Sequence, residues 1–300
     1  MRPVVRQDCP PGSAPDAPTR PAILRAAVRP SFPTWKEWGF FLIQIVLVSC
    51  IEVSDDLLRG LVFPRDIAAT QANAVRVMDF EQDHGLWIEP SLQRFFEQTH
   101  HFLGLAVTWP HVVTVFNSLY GIAHGLVTAL VVTWLYWRRP NLFPFVRNVF
   151  AIATALSVVT YNVFPTAPPR LATGLRFDGA PFHFEDTVFA SGGVNLSFDR
   201  YAAVPSLHIV WALIAGLTLA VAARQPIIRL IGLAHPFWMA ISVMVTGNHY
   251  LFDCLAASVI TGLAFLISVL LLRWPKIAFI GGRAGWGPPL QIAGIRPRRL

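Results

Sequence analysis

The stretch HYLFDCLAASVITGLAFLISVLLL, residues 249–272, decides the architecture of this chain. Its histidine, His249, and its aspartate, Asp253, both lie near its start, and the remainder is strongly apolar. A helix that crosses a bilayer needs about 20 predominantly apolar residues. The stretch therefore predicts a membrane-spanning helix that carries a histidine and an aspartate at one end.

Other apolar runs of similar character occur at 38–54, 114–137, 143–164, 206–223 and 227–246. The composition agrees, because 54% of the residues are hydrophobic and 14% are charged, against roughly 25% charged in soluble domains. The run 38–54 is the weakest, since acidic residues follow it closely. We expect an all-α integral membrane protein, a bundle of six transmembrane helices.

The rest of the chain divides around this bundle. We expect a Pro/Arg-rich disordered tail over 1–37, one membrane domain over 38–272 and a basic tail over 273–300. Within 59–113 the polar–apolar alternation predicts amphipathic interfacial helices, and the apolar stretch at 101–113 predicts another helix at the interface. The Gly/Pro/Asp-rich segment 165–205 predicts an ordered outer cap loop.

The distribution of basic residues predicts the orientation. With the N-terminus inside, the inner segments hold 17 of the 24 Lys and Arg, and the outer segments hold seven together with ten of the 17 acidic residues. This follows the positive-inside rule and places both termini in the cytoplasm, with 59–113 and 165–205 outside. The net charge of +7 is thereby explained without nucleic acid. Because Arg outnumbers Lys 22 to two, we expect a bacterial cell membrane.

Three polar motifs lie at the outer ends of predicted spans. They are Pro-Thr-Ala-Pro-Pro-Arg at 165–170, Pro-Ser-Leu-His at 205–208 and His-Tyr-Leu-Phe-Asp at 249–253. Ionisable groups at membrane depth are costly and indicate function. The charge count did not require that all three motifs face the same side, so their agreement favours one outward-facing site.

The last motif supplies a paired histidine and carboxylate. His249 and Asp253 are four residues apart, which predicts one helical face. The carboxylate can fix the tautomer of the ring and leave the other nitrogen as nucleophile or base. A structural hydrogen-bonded pair inside a bundle is the alternative.

The other two motifs suit an anion. Proline at 205 favours a helix start whose free N–H groups, with the Ser206 hydroxyl, face a bound anion, and His208 could donate a proton to a departing oxygen. The Arg170 guanidinium matches phosphate oxygens. A capped interfacial histidine and a snorkelling arginine are the alternatives.

At these residues the sequence resembles the type 2 phosphatidic acid phosphatase superfamily, and most closely its inositol phosphorylceramide synthase-like, inositolphosphotransferase branch. The resemblance covers roughly 75–272 and extends to Glu81, Gly85-Leu86, Glu89, Asn117, Tyr120 and His124. It implies His249 as nucleophile, Asp253 as its partner, His208 as acid, and Arg170 with Ser206 as phosphate ligands. It also implies a lipid phosphate or phospholipid substrate, and no metal or other cofactor.

Two positions depart from the phosphatase branch. Val163 stands where that branch usually has a lysine, and Val243 where it has an arginine. Fewer cations suit a phosphodiester better than a monoester, which favours head-group transfer over dephosphorylation. Arg176 or Arg200 could substitute, and Asn117, Tyr120, His124, Tyr250 and Arg200 are candidate substrate-binding residues.

Two further hypotheses remain at this point. His208, His249 and Asp253 could instead bind iron or zinc, although that leaves Arg170 unexplained. A transporter that binds phosphate without turnover is the other, and the lack of an internal repeat counts against it. The lipid donor, the acceptor and the oligomeric state do not follow from the sequence.

Overall fold

The computed structural model describes most of the predicted membrane domain. The described residues are 66–98, 100–102, 105–172, 176–177, 180–181 and 201–271, with helical positions 35, 38, 39, 42, 43 and 46. Apart from Trp35, the two terminal tails lie outside the described residues, as do most of the run 38–54 and most of the cap loop between 173 and 200.

Helices account for almost all of the regular structure. Those with described bounds are α1 (Ile67–Asp83), α2 (Glu89–Glu97), α3 (Trp109–Ser118), α4 (His124–Arg138), α5 (Phe143–Val163), α6 (Leu207–Ala222), α7 (Pro226–Val245) and α8 (Leu251–Leu271). A π-helical turn, Leu119–Ala123, joins α3 to α4, and a 3₁₀ turn, Pro169–Leu171, follows α5.

Two short antiparallel hairpins complete the described elements. Strand β1 (His100–Phe102) pairs with β2 (Leu105–Val107), and β3 (Arg176–Phe177) pairs with β4 (Ala180–Pro181). The prediction of a helix across 101–113 is therefore wrong in its first half. A hairpin occupies that half, and α3 begins only after Thr108.

Within the described residues, four helical segments are long and apolar enough to cross a membrane. They are Thr114–Arg138, Phe143–Val163, Pro226–Val245 and Leu251–Leu271, and they match four of the six predicted spans. Another predicted span, 206–223, corresponds to the shorter apolar helix α6 of 16 residues. At a rise of 1.5 Å per residue this helix is about 24 Å long.

The core of the bundle lies between α5, α6, α7 and α8. Buried apolar side chains from all four helices pack together there, including Val149, Val210, Val243 and Ala257. Helix α6 packs most extensively against α7, and α5 against α8. Their outward faces remain apolar and exposed, as at Phe237 and Val259, which is the pattern expected of helices surrounded by lipid.

Helices α1 and α2 are joined by a tight glycine turn. Asp66 caps the start of α1 by accepting hydrogen bonds from the Ala68 and Ala69 N–H groups. At the other end Gly85 has φ of 66°, and the Leu86 N–H donates to the Glu81 carbonyl at 2.7 Å. This closure requires the left-handed conformation that glycine adopts without strain, and it turns α2 back toward the bundle.

Candidate active site

Main-chain hydrogen bonds bring the first two motifs together. The Thr166 N–H donates to the Tyr201 carbonyl at 3.0 Å, and the Ala203 N–H donates to the Thr166 carbonyl at 3.2 Å. The Tyr161 hydroxyl on α5 also donates to the Pro205 carbonyl at 2.7 Å. The loop after α5 and the loop before α6 thus lie side by side.

Helix α1 holds this pair of loops from outside the bundle. The Asn73 side chain donates to the Pro165 carbonyl at 2.8 Å, and the Ala167 N–H donates to the Thr70 carbonyl at 3.2 Å. The Gln71 side chain donates to the Leu171 carbonyl at 2.9 Å. The proline-rich motif therefore has a fixed path, although it forms little regular structure.

The third motif meets the other two through His249. Its Nδ1 lies 2.9 Å from the Ala203 carbonyl oxygen and 3.1 Å from Asp253 Oδ2. Both partners can only accept, so Nδ1 carries the proton and Nε2 carries the lone pair. Asp253 is completely buried and also accepts the Tyr250 N–H at 2.9 Å.

The structure corrects the local setting of this pair. His249 does not lie on the helical face expected from the spacing, because α8 begins at Leu251. It lies in the turn that follows α7, where Gly247 has φ of 63°. The turn brings the ring back over Asp253, so that the two side chains meet as expected but across a helix start.

His208 lies in the first turn of α6 and faces both an aromatic ring and the other histidine. Its ring stacks on Tyr120, with centroids 4.0 Å apart and planes inclined by 20°. The centroid of the His249 ring is 6.0 Å away. Tyr120 belongs to the π-helical turn, and such turns occur often at functional sites.

Ser206 is the N-cap of α6, and this corrects the expected helix start. Its Oγ accepts the Ile209 N–H at 3.4 Å, so Pro205 precedes the cap and is not the first helical residue. The Ser206 N–H in turn donates to the Asp253 carbonyl at 3.4 Å. Since the hydroxyl accepts in the cap, its proton is available for donation to a ligand oxygen.

Arg170 is held by a residue that the sequence analysis did not identify. Its Nε donates to Asn248 Oδ1 at 2.8 Å, and its N–H donates to the Gly247 carbonyl at 3.0 Å. The amide of Asn248 donates to Thr246 Oγ1 at 2.7 Å. Arg170 is near enough to interact electrostatically with Tyr120 and His249. The one feature of the sequence that could have indicated Asn248 is its position directly before the motif histidine.

The remaining candidate binding residues lie in different surroundings. Tyr250 is completely buried, and its hydroxyl donates to the Ala167 carbonyl at 3.2 Å. Asn117 is buried one turn before Tyr120, and no hydrogen-bond partner for its Oδ1 is found among the described residues. Arg200 and the side chain of His124 lie outside what the structure describes.

The histidines and the aspartate do not converge on one point. Asp253 approaches the same ring nitrogen, Nδ1, that a hydrogen bond to Ala203 also uses. No group of three His, Cys, Asp or Glu side chains with metal-binding geometry occurs within the described part of the chain. The arrangement instead resembles a nucleophile held by its orienting carboxylate, with a second histidine opposite.

The family model described as the PAP2 superfamily matches residues 75–267. The chain belongs to the PAP2 superfamily. No curated protein and no solved structure gives a significant match. Membership of the PAP2 superfamily, together with several helices long and apolar enough to cross a membrane, indicates a membrane protein with phosphatase or phosphotransferase activity. The match spans all three motifs and also includes α2 and the second half of α1.

Proposed function

We propose that this PAP2 superfamily enzyme transfers a phosphoryl or phospho-head-group unit from a lipid to an alcohol or to water through a phosphohistidine. The observation that carries the proposal is the pair of acceptors on His249 Nδ1. They keep the proton on that nitrogen and leave the Nε2 lone pair for attack on phosphorus.

Two displacements complete the reaction. In the first, His249 Nε2 forms a bond to phosphorus, the bond from phosphorus to the leaving oxygen breaks, and His208 gives that oxygen a proton. In the second, the acceptor oxygen attacks phosphorus, the phosphorus–nitrogen bond breaks, and His208 takes the acceptor's proton. Tyr120, stacked on the His208 ring, keeps its plane fixed for both transfers.

Arg170 and Ser206 are proposed to hold the phosphate oxygens. Asn248 binds Nε of Arg170 and so sets the direction of the guanidinium, and the Ser206 hydroxyl can donate from the start of α6. A fixed donor set placed where charge develops is the usual means of stabilising such a transition state. This chemistry needs no metal ion or other cofactor.

The proposed substrate is a phosphodiester, as in the inositolphosphotransferase branch. Val163, at one of the positions where the phosphatase branch has a cation, is 78% exposed, and Val243, at the other, is fully buried in the core. Neither position supplies a positive charge. A phosphodiester carries one negative charge where a monoester can carry two, so Arg170 suffices for the former.

The proposed setting is a bacterial cell membrane, with six spans in the domain 38–272 and both tails in the cytoplasm. The site then faces outward, because all three motifs lie at the same end of their spans. The segment 165–205 would cover it, and α1 and α2 would lie in the outer interface. A lipid can enter such a site from the bilayer.

The decisive experiment offers purified protein phosphatidylinositol, phosphatidic acid and an acceptor alcohol, with products identified by mass spectrometry. We expect head-group exchange or hydrolysis by the wild type and none by His249→Ala. Turnover of both lipids at undiminished rate by His249→Ala would contradict the proposal. Binding and transport of lipid without any product would favour the transporter.

A chelator separates the phosphohistidine mechanism from a metal mechanism. Turnover should persist in the chelator and fall with vanadate, which mimics phosphate. Loss of turnover that zinc or iron restores would instead assign His208, His249 and Asp253 to a metal site.

A further inference from the structure

The start of α8 has no capping side chain of its own among the residues that precede it. Tyr250 occupies the N-cap position, and a tyrosine does not supply the short acceptor that usually satisfies the first N–H groups of a helix. These N–H groups are nevertheless all bonded. The acceptors are three different carboxyl groups.

Each of three consecutive N–H groups donates to its own carboxyl oxygen. The Tyr250 N–H donates to Asp253 Oδ2 at 2.9 Å. The Leu251 N–H donates to Glu89 Oε1 at 2.5 Å, and the Phe252 N–H donates to Glu81 Oε1 at 2.6 Å. Glu81 comes from α1 and Glu89 from α2, so both interfacial helices hold the first turn of α8.

Both glutamates are buried, and each has a second carboxyl oxygen that these hydrogen bonds leave unused. Glu81 is 0% exposed and Glu89 is 2% exposed. The Oε2 atoms of both residues are buried and have no hydrogen-bond partner among the described residues, and the two carboxyl groups are close enough to interact electrostatically. Two carboxylates can only accept, so a hydrogen bond between them requires a proton. One proton shared by the two groups would satisfy both Oε2 atoms.

We infer that Glu81 and Glu89 share one proton and act as positioning residues for the His249–Asp253 pair, by fixing the first turn of α8. Asp253 is the third residue of that helix, and its carboxylate must lie within 3.1 Å of His249 Nδ1. If this turn unwinds, the Asp253 carboxylate moves away from the His249 ring. The inference rests on the proposed function for its catalytic consequence, but the fixed helix start can be tested without turnover.

Burial and the neighbouring carboxylates give the pair a pH dependence. Loss of exposure to water, and then the nearby charge of Glu89, raise the pKa of Glu81 from 4.5 to about 9, and burial raises the pKa of Glu89 as well. The other titratable groups that interact with the pair are Asp253, Tyr250 and Cys254. Below pH 9 the shared proton is therefore retained, and above it two adjacent negative charges repel each other.

The sign of the stability effect follows from this shift. Below pH 4.5 Glu81 is protonated in the folded and unfolded states alike, so its raised pKa does not lower the stability of the folded state. As the pH rises from 4.5 to about 9, the unfolded chain loses the proton that the folded chain keeps, and stability falls. Glu81→Gln has no proton to lose, and its amide can still accept from Phe252 and donate to Glu89.

The experiment compares Glu81→Gln and Glu81→Ala with the wild type by hydrogen–deuterium exchange and by turnover of phosphatidylinositol and phosphatidic acid between pH 6 and 10. Gln93→Leu is the matched control, since Gln93 is a buried residue of α2 that donates to the Val245 carbonyl and not to α8. We expect faster exchange at residues 250–253 in Glu81→Ala alone. Displacing a catalytic group by about 1 Å commonly costs on the order of 10²-fold in rate, and we expect that loss in Glu81→Ala.

The amide variant decides between positioning and a general structural role. Glu81→Gln should keep most of the turnover at pH 7. We expect the activity of the wild type to decline above about pH 9 and that of Glu81→Gln to show no such decline. The thermal midpoint of Glu81→Gln should also stay constant as the pH rises. Unchanged exchange at 250–253 in Glu81→Ala, or the same exchange pattern in Gln93→Leu, would overturn the inference. If exchange behaves as expected and the wild type turns over neither lipid, the proposed function fails and the fixed helix start stands.

Discussion

The ring centroids of His208 and His249 lie 6.0 Å apart, and the two rings differ in the residues that surround them. His249 is fixed at Nδ1 by two acceptors, as a nucleophile requires, and is needed whatever group departs. His208 stacks on Tyr120 and is proposed as the general acid, whose contribution grows with the basicity of the leaving oxygen. The two histidines should therefore respond differently to a change of leaving group.

His208→Ala should lose most activity on a lipid, whose alkoxide leaves poorly, and retain much more on a nitrophenyl phosphodiester, whose phenolate leaves without help. General acid catalysis typically contributes 10²–10⁴-fold, so we expect a difference of about that order between the two substrates. The measurement is kcat on both substrates, with trapping of the phosphoenzyme. His249→Ala is the control and should lose both activities. Equal losses in His208→Ala on the two substrates would reverse the assignment of roles.

At the scale of elements, α6 and α7 approach each other closely at a pair of glycines. A Cβ on Gly232 would lie 2.6 Å from the Gly216 carbonyl oxygen and 2.7 Å from the Leu219 Cβ, and a Cβ on Gly216 would meet the Gly232 carbonyl in turn. Small residues permit such backbone contact between membrane helices. This contact matters for the site, because α6 carries His208 and α7 leads into the turn of His249.

Gly232→Ala should force the two helices apart and lower stability by about 1–3 kcal/mol, the usual cost of overpacking a core. The thermal midpoint of the protein in detergent measures this. Gly262→Ala on α8 is the matched control, since a Cβ there has no atom within 4 Å. A midpoint for Gly232→Ala equal to that of Gly262→Ala would show that α6 and α7 adapt without cost.

At the scale of the whole molecule, the orientation of the bundle can be tested by labelling. In a variant without native cysteines, Glu185→Cys should react with a membrane-impermeant maleimide in intact cells, because 165–205 is proposed to lie outside. Arg224→Cys, in the short connection between α6 and α7, should react only after the cells are opened. The reverse pattern would place the site on the cytoplasmic side.

Much of this architecture follows from composition and hydropathy. The apolar runs at 114–137, 143–164, 227–246 and 249–272 correspond to spans within a few residues, since a long apolar helix is decided by its own sequence. The three motifs indicated a shared site for a similar reason, because polar groups at membrane depth are rare. The predicted run 206–223 is one residue longer than α6 at each end. Ser206 is the N-cap and Ala223 is the C-cap of this helix of 16 residues.

The missed features all depend on contacts between distant parts of the chain. Strands β1 and β2 stand where the sequence predicts part of a helix, because the apolar character of this short segment fits a strand as well as a helix. Asn248 became a candidate only through its contact with Arg170, 78 positions away. The resemblance included Glu81 and Glu89, but their hydrogen bonds to α8 span 171 and 162 positions, which no local pattern reports.

The carbonyl oxygen of Ala203, one of the two groups that orient His249, has a genetic consequence. Every amino acid supplies the same main-chain oxygen, so no amino-acid substitution at 203 deletes this acceptor, whereas a single substitution at 253 removes the aspartate. An allele without the aspartate would still present a ring held at Nδ1. Such an allele should behave as a hypomorph, and the true null alleles of this site should fall at His249.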